Sequence, residues 1–138
     1  MARITLQFPT PVLYRCPLTL RIGDINHGQH LGHDTLVSLL HEGRCCWLAS
    51  HGLSEGDSGG AAQVVAELAV NYLGEAFYPQ QLTMELAAGE LSSKGVEIYQ
   101  RLSREDGKAV AVAKVGLVFF DMGARAAVAV PDAFKALL

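Results

Sequence analysis

Residues 24–48 read DINHGQHLGHDTLVSLLHEGRCCWL and divide into two unlike halves. The first half, residues 24–34, is polar, contains two glycines and holds three of the five histidines of the chain. In the second half, residues 35–48, apolar side chains recur at the three- and four-residue spacing of a helix. The pattern predicts a polar loop that leads into a helix, and no other part of the sequence gives a helical signal of this length.

The predicted helix is apolar around most of its circumference toward its carboxyl end, where Cys45 and Cys46 are expected to fill core space. A helix of this kind is normally surrounded by other elements, so we expect it to lie inside the fold. Asp34 is the candidate N-cap, because its carboxylate can accept a hydrogen bond from a first-turn amide, although a start near Gly28 fits equally. Gly52 predicts the end of the helix.

Alternation of apolar and polar residues with a period of two predicts strands in most of the remaining sequence. The predicted strands are 14–25, 63–73, 82–91, 96–104 and 109–120. Asp106 and Gly107 predict a type I′ hairpin turn between the last two strands. Residues 53–60, rich in glycine and serine, predict a mobile connector, and Pro131 begins a short final helix. Five strands and one early helix indicate an α+β fold with an antiparallel sheet.

Length and composition limit the classes of protein to which the chain can belong. Its 138 residues, 50% hydrophobic and 18% charged, suit a single globular domain over residues 1–138. A net charge of −3 without a Lys/Arg run excludes a nucleic-acid footprint. No stretch approaches the roughly 18 apolar residues of a membrane helix, and no secretion signal is evident. Three cysteines, two of them adjacent, predict free thiols in a cytoplasmic protein.

The order of a strand, a polar loop, a long helix and four further antiparallel strands resembles the hotdog fold. Three short segments strengthen the resemblance. Residues 21–26 (RIGDIN), 30–33 (HLGH) and 42–44 (EGR) are similar to the signature of the 4-hydroxybenzoyl-CoA thioesterase-like family. The resemblance implies an α+β hotdog fold with a five- or six-stranded antiparallel sheet wrapped around a long central helix.

The same resemblance implies an acyl-CoA thioesterase that hydrolyses a small or medium acyl thioester to the free acid and CoA. Coenzyme A would enter as part of the substrate, with no separate cofactor, and an acyl group on a carrier protein is the alternative substrate. Members of the family assemble as homodimers or homotetramers. Apolar residues on both sides of the predicted strands also lead us to expect a second subunit as their cover.

Asn26 departs from the family at the position of the usual catalytic residue. There, the second aspartate of an Asp-x-Asp segment acts as nucleophile or base, and Asp24 matches only the first, usually non-catalytic, aspartate. Asparagine cannot take a proton from water at neutral pH, but it can orient water or donate a hydrogen bond to an oxyanion. We therefore expect the base to be Asp34, inferred from its place at the helix start, or Glu42, two turns further on.

His30 and His33 match histidine positions of the family and are predicted to position the substrate or to act as acids. Because a helix N-terminus carries unpaired amides, the backbone N–H groups of Gly32 and His33 are predicted to polarise the thioester carbonyl. The predicted acyl contacts are Leu36, Leu40, Tyr72 and Phe77, and the predicted phosphate contacts are Arg101, Arg104, Lys108 and Lys114.

Plain structural interpretations exist for several of these residues. Asn26 can simply form a turn through its side chain, Asp34 can be only a cap, and Glu42 can be an ion-pair partner of Arg44 or His41. Two other functions stay open. One is a hotdog protein that binds a thioester without hydrolysing it, which Asn26 favours, and the other is a dehydratase or hydratase.

His27, His30 and His33, with Asp34 beside them, have a spacing that can bind a divalent metal. Because a glycine-bearing turn does not fix such side chains in a tetrahedron, we expect no metal there. A nucleophilic cysteine is not expected either, since a helix so apolar offers a thiol neither a base nor access.

Overall fold

The computed structural model describes residues 2–138, in which one long helix is followed almost entirely by strands. In chain order the elements are β1 (Tyr14–Thr19), α1 (His33–Ser50), β2 (Ala62–Tyr72), β3 (Gln81–Leu91), β4 (Gly95–Arg104), β5 (Ala109–Asp121), β6 (Ala126–Ala127) and α2 (Asp132–Lys135). A 3-10 turn at Ile22–Asp24 lies between β1 and α1. Among residues 2–138, no helix is both long enough and apolar enough to cross a lipid bilayer.

The strands form one antiparallel sheet in the order β1-β3-β4-β5-β2, with β6 paired to the end of β5. Helix α1 packs against one face of this sheet, and its buried side chains share a single core with the inward residues of the strands. The predicted α+β hotdog fold, a six-stranded antiparallel sheet around one long helix, is confirmed.

At Gly43, α1 comes close to Met84 of β3. A Cβ atom at Gly43 would lie 2.5 Å from Met84 Cε, so a side chain there would push the helix away from the sheet. Gln100 of β4, only 1% exposed, links the two layers. Its Nε2 donates to the Leu40 carbonyl at 2.7 Å, and its Oε1 accepts from Arg44 Nη1 at 3.0 Å. A buried amide satisfied in this way fixes the rotation of the helix on the sheet.

The sheet covers one side of α1, and the opposite side is exposed in the single chain. Cys46 is exposed and Cys45 is half-buried, so the prediction that they fill the core is wrong. The apolar side chains near the end of α1 are instead covered by α2, where the rings of Trp47 and Phe134 lie 5.6 Å apart. A helix that packs on a single sheet needs only one apolar stripe, so the wide predicted stripe overstated its burial.

Two local turns differ from the predictions. β1 ends at Thr19 rather than at residue 25, because the Asp24 carboxylate accepts the Arg21 N–H at 2.8 Å and closes the 3-10 turn. The hairpin predicted at residues 106–107 is present between β4 and β5, but its turn is not type I′. Of that pair only Gly107 has a positive φ, 84°, and its N–H donates to the Arg104 carbonyl at 2.9 Å. This is a type I turn followed by a left-handed glycine.

Residues 53–60, predicted to be a mobile connector, form a hydrogen-bonded loop over α1. Ser54 and Asp57 exchange backbone hydrogen bonds of 3.0 and 3.2 Å. Ser58 is fully buried, and its hydroxyl donates to the Ser54 carbonyl at 2.8 Å. The Gln63 N–H donates to the Glu55 carbonyl at 2.7 Å. The loop therefore holds Glu55 in one place above the helix.

The outer face of the sheet, opposite α1, carries a charged ladder. Arg15, Glu85 and Arg101 lie directly opposite one another on β1, β3 and β4. The Glu85 carboxylate accepts from Arg15 Nη2 at 2.6 Å and from Arg101 Nη2 at 2.8 Å. The N-terminal arm crosses this face, and the Phe8 ring lies 4.3 Å from the Arg101 guanidinium carbon. Charged pairs and the chain's own arm therefore occupy the outer face at β1, β3 and β4.

We expect Glu85→Gln to lower the free energy of unfolding at pH 7 by about 1 kcal/mol, since the partly exposed arginines are screened by solvent. Hydrogen bonds from Arg15, opposed by burial and reinforced by Arg101, hold the pKa of Glu85 below its usual value. The carboxylate thus stabilises the fold above its unfolded-state pKa of about 4.3 and loses this contribution as the pH falls further.

Urea unfolding of both proteins, at neutral pH and in acid below that pKa, measures this effect. Glu90→Gln, at an exposed position of the same strand, is the control and should change stability little at either pH. If Glu85→Gln lowers the free energy of unfolding by the same amount in acid and at neutral pH, the stabilising role of the ionised Glu85 is contradicted.

Candidate active site

Residues 24–32 fold back on themselves as a small hairpin before α1 begins. An antiparallel bridge joins its two sides, and the Asn26 N–H donates to the His30 carbonyl at 3.0 Å. The Leu31 N–H donates to the Ala76 carbonyl at 2.8 Å. The hairpin is therefore joined to the segment between β2 and β3, far away in sequence.

Two glycines allow three of the predicted site residues to lie close together. A Cβ atom at Gly28 would lie 3.2 Å from both Asn26 Oδ1 and His30 Nε2. A Cβ atom at Gly32 would lie 2.8 Å from Asp34 Oδ1 and 3.6 Å from Asn26 Cβ. The structure thus brings Asn26, His30 and Asp34 together around the backbone of the hairpin.

The hydrogen bonds of His30 determine which ring nitrogen carries the proton. Nδ1 lies 3.0 Å from the Leu31 carbonyl, which can only accept, so Nδ1 holds the proton of the neutral ring. Nε2 then has a free lone pair that can accept a hydrogen bond from water. Asn26 Oδ1 accepts the His30 N–H at 3.4 Å, which leaves the Asn26 NH₂ group as a donor.

Helix α1 begins at His33 with Gly32 as its N-cap, so the prediction of Asp34 as the cap is wrong. The extended backbone ends at Gly32, which places Asp34 inside the first turn. Within residues 2–138, the backbone N–H groups of His33, Asp34 and Thr35 have no acceptor, as is usual for a first turn. The Gly32 N–H donates to the Asp24 carbonyl at 3.2 Å. Of the two predicted backbone donors, only that of His33 is free.

A cavity of about 300 Å³ opens beside the start of α1, and His30, His33 and Leu36 form part of its wall. Tyr72, at the end of β2, also lines the cavity, and its hydroxyl donates to the His33 carbonyl at 2.9 Å. Burial, together with the charge of Asp34, raises the pKa of Tyr72. Tyr72 therefore stays a neutral donor at physiological pH and joins β2 to the first residue of α1.

Glu75 is a carboxylate of this cavity that the sequence analysis missed. It lines the same space as His30 and His33, and its backbone carbonyl accepts from Arg104 Nη1 at 3.2 Å. Residues 73–80 carry no motif, so no local signal marked Glu75. Its place depends on the hydrogen bond between Leu31 and the neighbouring Ala76, which joins two distant parts of the chain.

Glu42 lies two turns along α1 from Asp34, about 12 Å away by the rise of the helix. It is exposed and, like Asn26 and Asp34, is not among the residues that line the 300 Å³ cavity, so its distance along the helix is what separates it from them. Neither Arg44 nor His41 pairs with it in the part of the chain that the structure describes, so its interpretation as their partner is wrong. The structure keeps Glu42 apart from the group at the helix start.

A second group of reactive side chains lies halfway along α1. Glu55 Oε1 is 2.6 Å from His41 Nε2 and accepts from Cys45 Sγ at 3.2 Å. Burial and the hydrogen bond to Glu55 raise the pKa of Cys45 to about 11, so its thiol is not a nucleophile at neutral pH. Within residues 2–138, one group of side chains lies close enough together to share a metal ion: His41, Cys45 and Glu55. The predicted histidine spacing at residues 27–33 does not form such a group.

The predicted phosphate contacts divide between the two faces of the sheet. Arg101 and Lys114 are paired with carboxylates on the outer face. Arg104, opposite the buried Leu82, lies on the α1 side beside the cavity segment at residues 74–76. Lys108 is exposed after the hairpin turn. Of the four, Arg104 is the one in contact with a cavity residue, and its Nη2 is paired with Asp106 Oδ2 at 2.7 Å.

The predicted acyl contacts are also divided. Leu36 and Tyr72 line the 300 Å³ cavity. Leu40 lines a larger cavity of about 560 Å³ between α1 and β2, and Phe77 is exposed. The structure therefore assigns two of the four residues to the space beside the helix start.

Comparison with known proteins relates this architecture to a family. The model of the thioesterase-like superfamily matches residues 20–138. No curated protein sequence matches the chain significantly. Among solved structures, the PA2801 protein from Pseudomonas aeruginosa has a TM-score of 0.84 at 22% identity, covering 91% of this chain and 98% of that one.

Two further structures are similar at lower identity. Slr0204, a 1,4-dihydroxy-2-naphthoyl-CoA thioesterase from Synechocystis, has a TM-score of 0.82 at 16% identity, covering 90% and 93% of the two chains. SAV2348 from Staphylococcus aureus, solved in complex with CoA, has a TM-score of 0.82 at 18% identity, covering 96% and 85%. These likenesses establish the fold. The family match spans the loop, α1 and every later strand, and the chain therefore belongs to the thioesterase-like superfamily, with thioester hydrolysis as its class of reaction.

Proposed function

We propose that the chain is an acyl-CoA thioesterase that hydrolyses a small or medium acyl thioester to the free acid and CoA. The observation that carries this proposal is the start of α1, where three backbone N–H groups without an acceptor adjoin a cavity lined by His30, His33 and Tyr72. An open helix N-terminus stabilises negative charge. The carbonyl oxygen of a thioester gains such charge when water attacks it.

In this proposal the carbonyl oxygen accepts hydrogen bonds from the amides of His33 and Asp34, and the Asn26 side chain donates from the hairpin. Each donor of this kind is typically worth about 3 kcal/mol in the transition state. The positive end of the α1 dipole acts in the same direction. The role predicted for Gly32 passes to the next residues, because the Gly32 N–H is held by the Asp24 carbonyl.

Asp34 is the base that removes a proton from the attacking water. Its carboxylate lies beside Gly32 and Asn26 at the helix start, whereas Glu42 is two turns away. His30 offers the Nε2 lone pair as a second acceptor that orients the same water. The roles usually combined in one aspartate are thus divided: Asp34 on the helix removes the proton, and Asn26 and His30 on the hairpin supply hydrogen bonds.

Collapse of the tetrahedral intermediate breaks the carbon–sulfur bond and releases CoA as a thiolate. Because a thiol has a pKa of about 8.5, this group leaves without strong acid assistance. The water proton held by Asp34 passes through the imidazole of His33, on the cavity wall, to the sulfur. Asp34 is then ionised again and His33 neutral again, so the site returns to its starting state.

Coenzyme A as the thiol carrier is supported by the family and by SAV2348, a structural neighbour with CoA bound. Arg104 lies beside the cavity segment, with its Nη2 paired to Asp106 at 2.7 Å, and the exposed Lys108 offers a further positive charge to a phosphate. The cavity of about 300 Å³, with Leu36 and Val110 in its wall, suits a short or medium acyl group. A thioester on a carrier protein is the alternative substrate.

We also propose that the chain acts as a homodimer or homotetramer in the cytoplasm. Strand β2 is an edge of the sheet and exposes Val64, Val65 and Leu68 by 41–46%. An unpaired strand edge with apolar side chains favours pairing with a second chain. The three cysteines are free in the described chain, in keeping with a reducing compartment.

An acyl-CoA panel with short, medium, long and aromatic acyl groups tests the activity. We expect free CoA thiol to be released from short or medium substrates, measured with a thiol reagent against an enzyme-only blank. The blank is needed because the protein has three thiols of its own. The alternative function, binding without turnover, requires saturable binding by calorimetry and no thiol release from any member. That result would exclude a thioesterase.

Paired carboxylate variants test the base. Asp34→Asn should lower kcat by about 10²- to 10⁴-fold with little change in KM, because it removes the proton acceptor but keeps the shape. Glu42→Gln, on the same exposed side of α1, should leave kcat nearly unchanged. Full activity in both variants would reject both carboxylates as the base, and a loss confined to Glu42→Gln would reverse the assignment.

Sedimentation equilibrium tests the proposed assembly. Leu68→Lys places a charge on the exposed side chains of β2 and should shift the protein to the monomer. Leu91→Lys, at a similarly exposed residue of β3, should leave the assembly intact. A parent chain that sediments as a monomer over the whole concentration range would contradict the proposal.

A further inference from the structure

His41, Cys45 and Glu55 have no part in the proposed thioester chemistry. His41 lies about 12 Å along α1 from His33 by the rise of the helix, and the group does not line the cavity at the helix start. An imidazole nitrogen, a thiol sulfur and a carboxylate oxygen here lie within 4.8 Å of one another. We propose that these three side chains bind a Zn²⁺ ion that joins the loop after α1 to the helix.

His41 and Cys45 supply two ligands from one rigid element. They are four residues apart on α1, so they occupy the same side of the helix one turn apart. This spacing is the one by which a helix presents two ligands to a single zinc ion. The intervening Gly43 and Arg44 face the sheet, where Arg44 bonds to Gln100, and they hold this stretch of α1 in place.

Glu55 supplies the third ligand from the loop at residues 53–60. The Gln63 N–H donates to the Glu55 carbonyl at 2.7 Å, and the fully buried Ser58 bonds to the Ser54 carbonyl. These bonds fix the backbone of Glu55 over the helix, and the contacts with His41 and Cys45 orient its carboxylate before any ion binds. A site whose ligands are held by their surroundings loses little entropy on metal binding.

The ligand atoms already converge on one point. Glu55 Oε1 contacts both His41 Nε2 and Cys45 Sγ, so hydrogen-bonded protons occupy the space that a cation takes. On binding, Cys45 releases its S–H proton to solvent and coordinates as a thiolate. His41 gives up the Nε2 proton that it shares with Glu55, by exchange through solvent, and coordinates through that nitrogen as the Nδ1–H tautomer, so the step involves no oxidation or reduction.

The choice of Zn²⁺ follows from the donor set. Nitrogen and sulfur ligands favour Zn²⁺ over Ca²⁺ and Mg²⁺, which take oxygen ligands. The neighbouring cation, Arg44, donates its Nη1 hydrogen to Gln100 in the core and so turns this end of its guanidinium from the site. His41 and Glu55 line the 560 Å³ cavity, which leaves room for water in the fourth position.

The test uses the purified full chain, treated with a chelator, and Co²⁺ as a spectroscopic substitute for Zn²⁺. Equimolar Co²⁺ should produce a thiolate-to-cobalt charge-transfer band, and equimolar Zn²⁺ should abolish it. Cys45→Ser should remove the band. Cys45→Ser, His41→Gln and Glu55→Gln should each weaken Zn²⁺ binding by at least about tenfold, measured by competition with a chromophoric chelator.

Cys46→Ser and His51→Gln are the matched controls, because they make the same changes at exposed residues outside the group. Both should bind Zn²⁺ as the parent does. Thermal unfolding gives a second readout, since an ion that binds only the folded chain raises Tm.

Equal losses in the controls and the site variants would overturn the proposal. So would a parent chain that shows neither the band nor a rise in Tm with Zn²⁺. If Cys45→Ser does not fold, the exposed His41 and the surface loop residue Glu55 decide the outcome by the same criteria.

Discussion

The packing of α1 on the inner face of the sheet is the constraint on which the other features depend. Gly43 allows the helix to contact Met84, and the buried Gln100 amide bonds to both the Leu40 carbonyl and Arg44. Because a buried amide must satisfy its polar atoms, these contacts allow α1 only one rotation about its own axis relative to the sheet. The polar side of α1 then faces outward, and its first turn meets the end of β2.

The chemistry proposed at the start of α1 follows from this placement of the helix and from the asparagine at position 26. With Asn26 at the position of the usual aspartate, the hairpin can donate hydrogen bonds but cannot remove a proton. A carboxylate is nevertheless present, because the Cβ-free backbone of Gly32 leaves room for Asp34 beside Asn26. The loss of a charge on the hairpin is therefore compatible with hydrolysis if Asp34 takes over as base. In the proposed mechanism the open amides of α1 stabilise the negative charge on the carbonyl oxygen whichever group acts as base.

The two sites proposed on this helix differ in their origin. The group at its N-terminus comes almost entirely from one contiguous stretch, residues 26–34. The group at its middle depends on Glu55, which reaches His41 and Cys45 from a loop. The hydrogen bonds of this loop fix the backbone of Glu55 above the helix. This is why residues 53–60, which look like a flexible connector by composition, have a structural role.

The amino-acid pattern alone is sufficient for the fold class, for most strand limits and for the grouping of Asn26, His30 and Asp34. These features rest on periodicity and on neighbours in sequence, which are local properties. The exposure of Cys46, the end of β1 and the places of Glu75 and Glu55 required the tertiary structure. Each depends on contacts between distant segments, such as the bond from Leu31 to Ala76. Local patterns do not encode which distant backbone group will satisfy a given donor, so only the folded chain decides it.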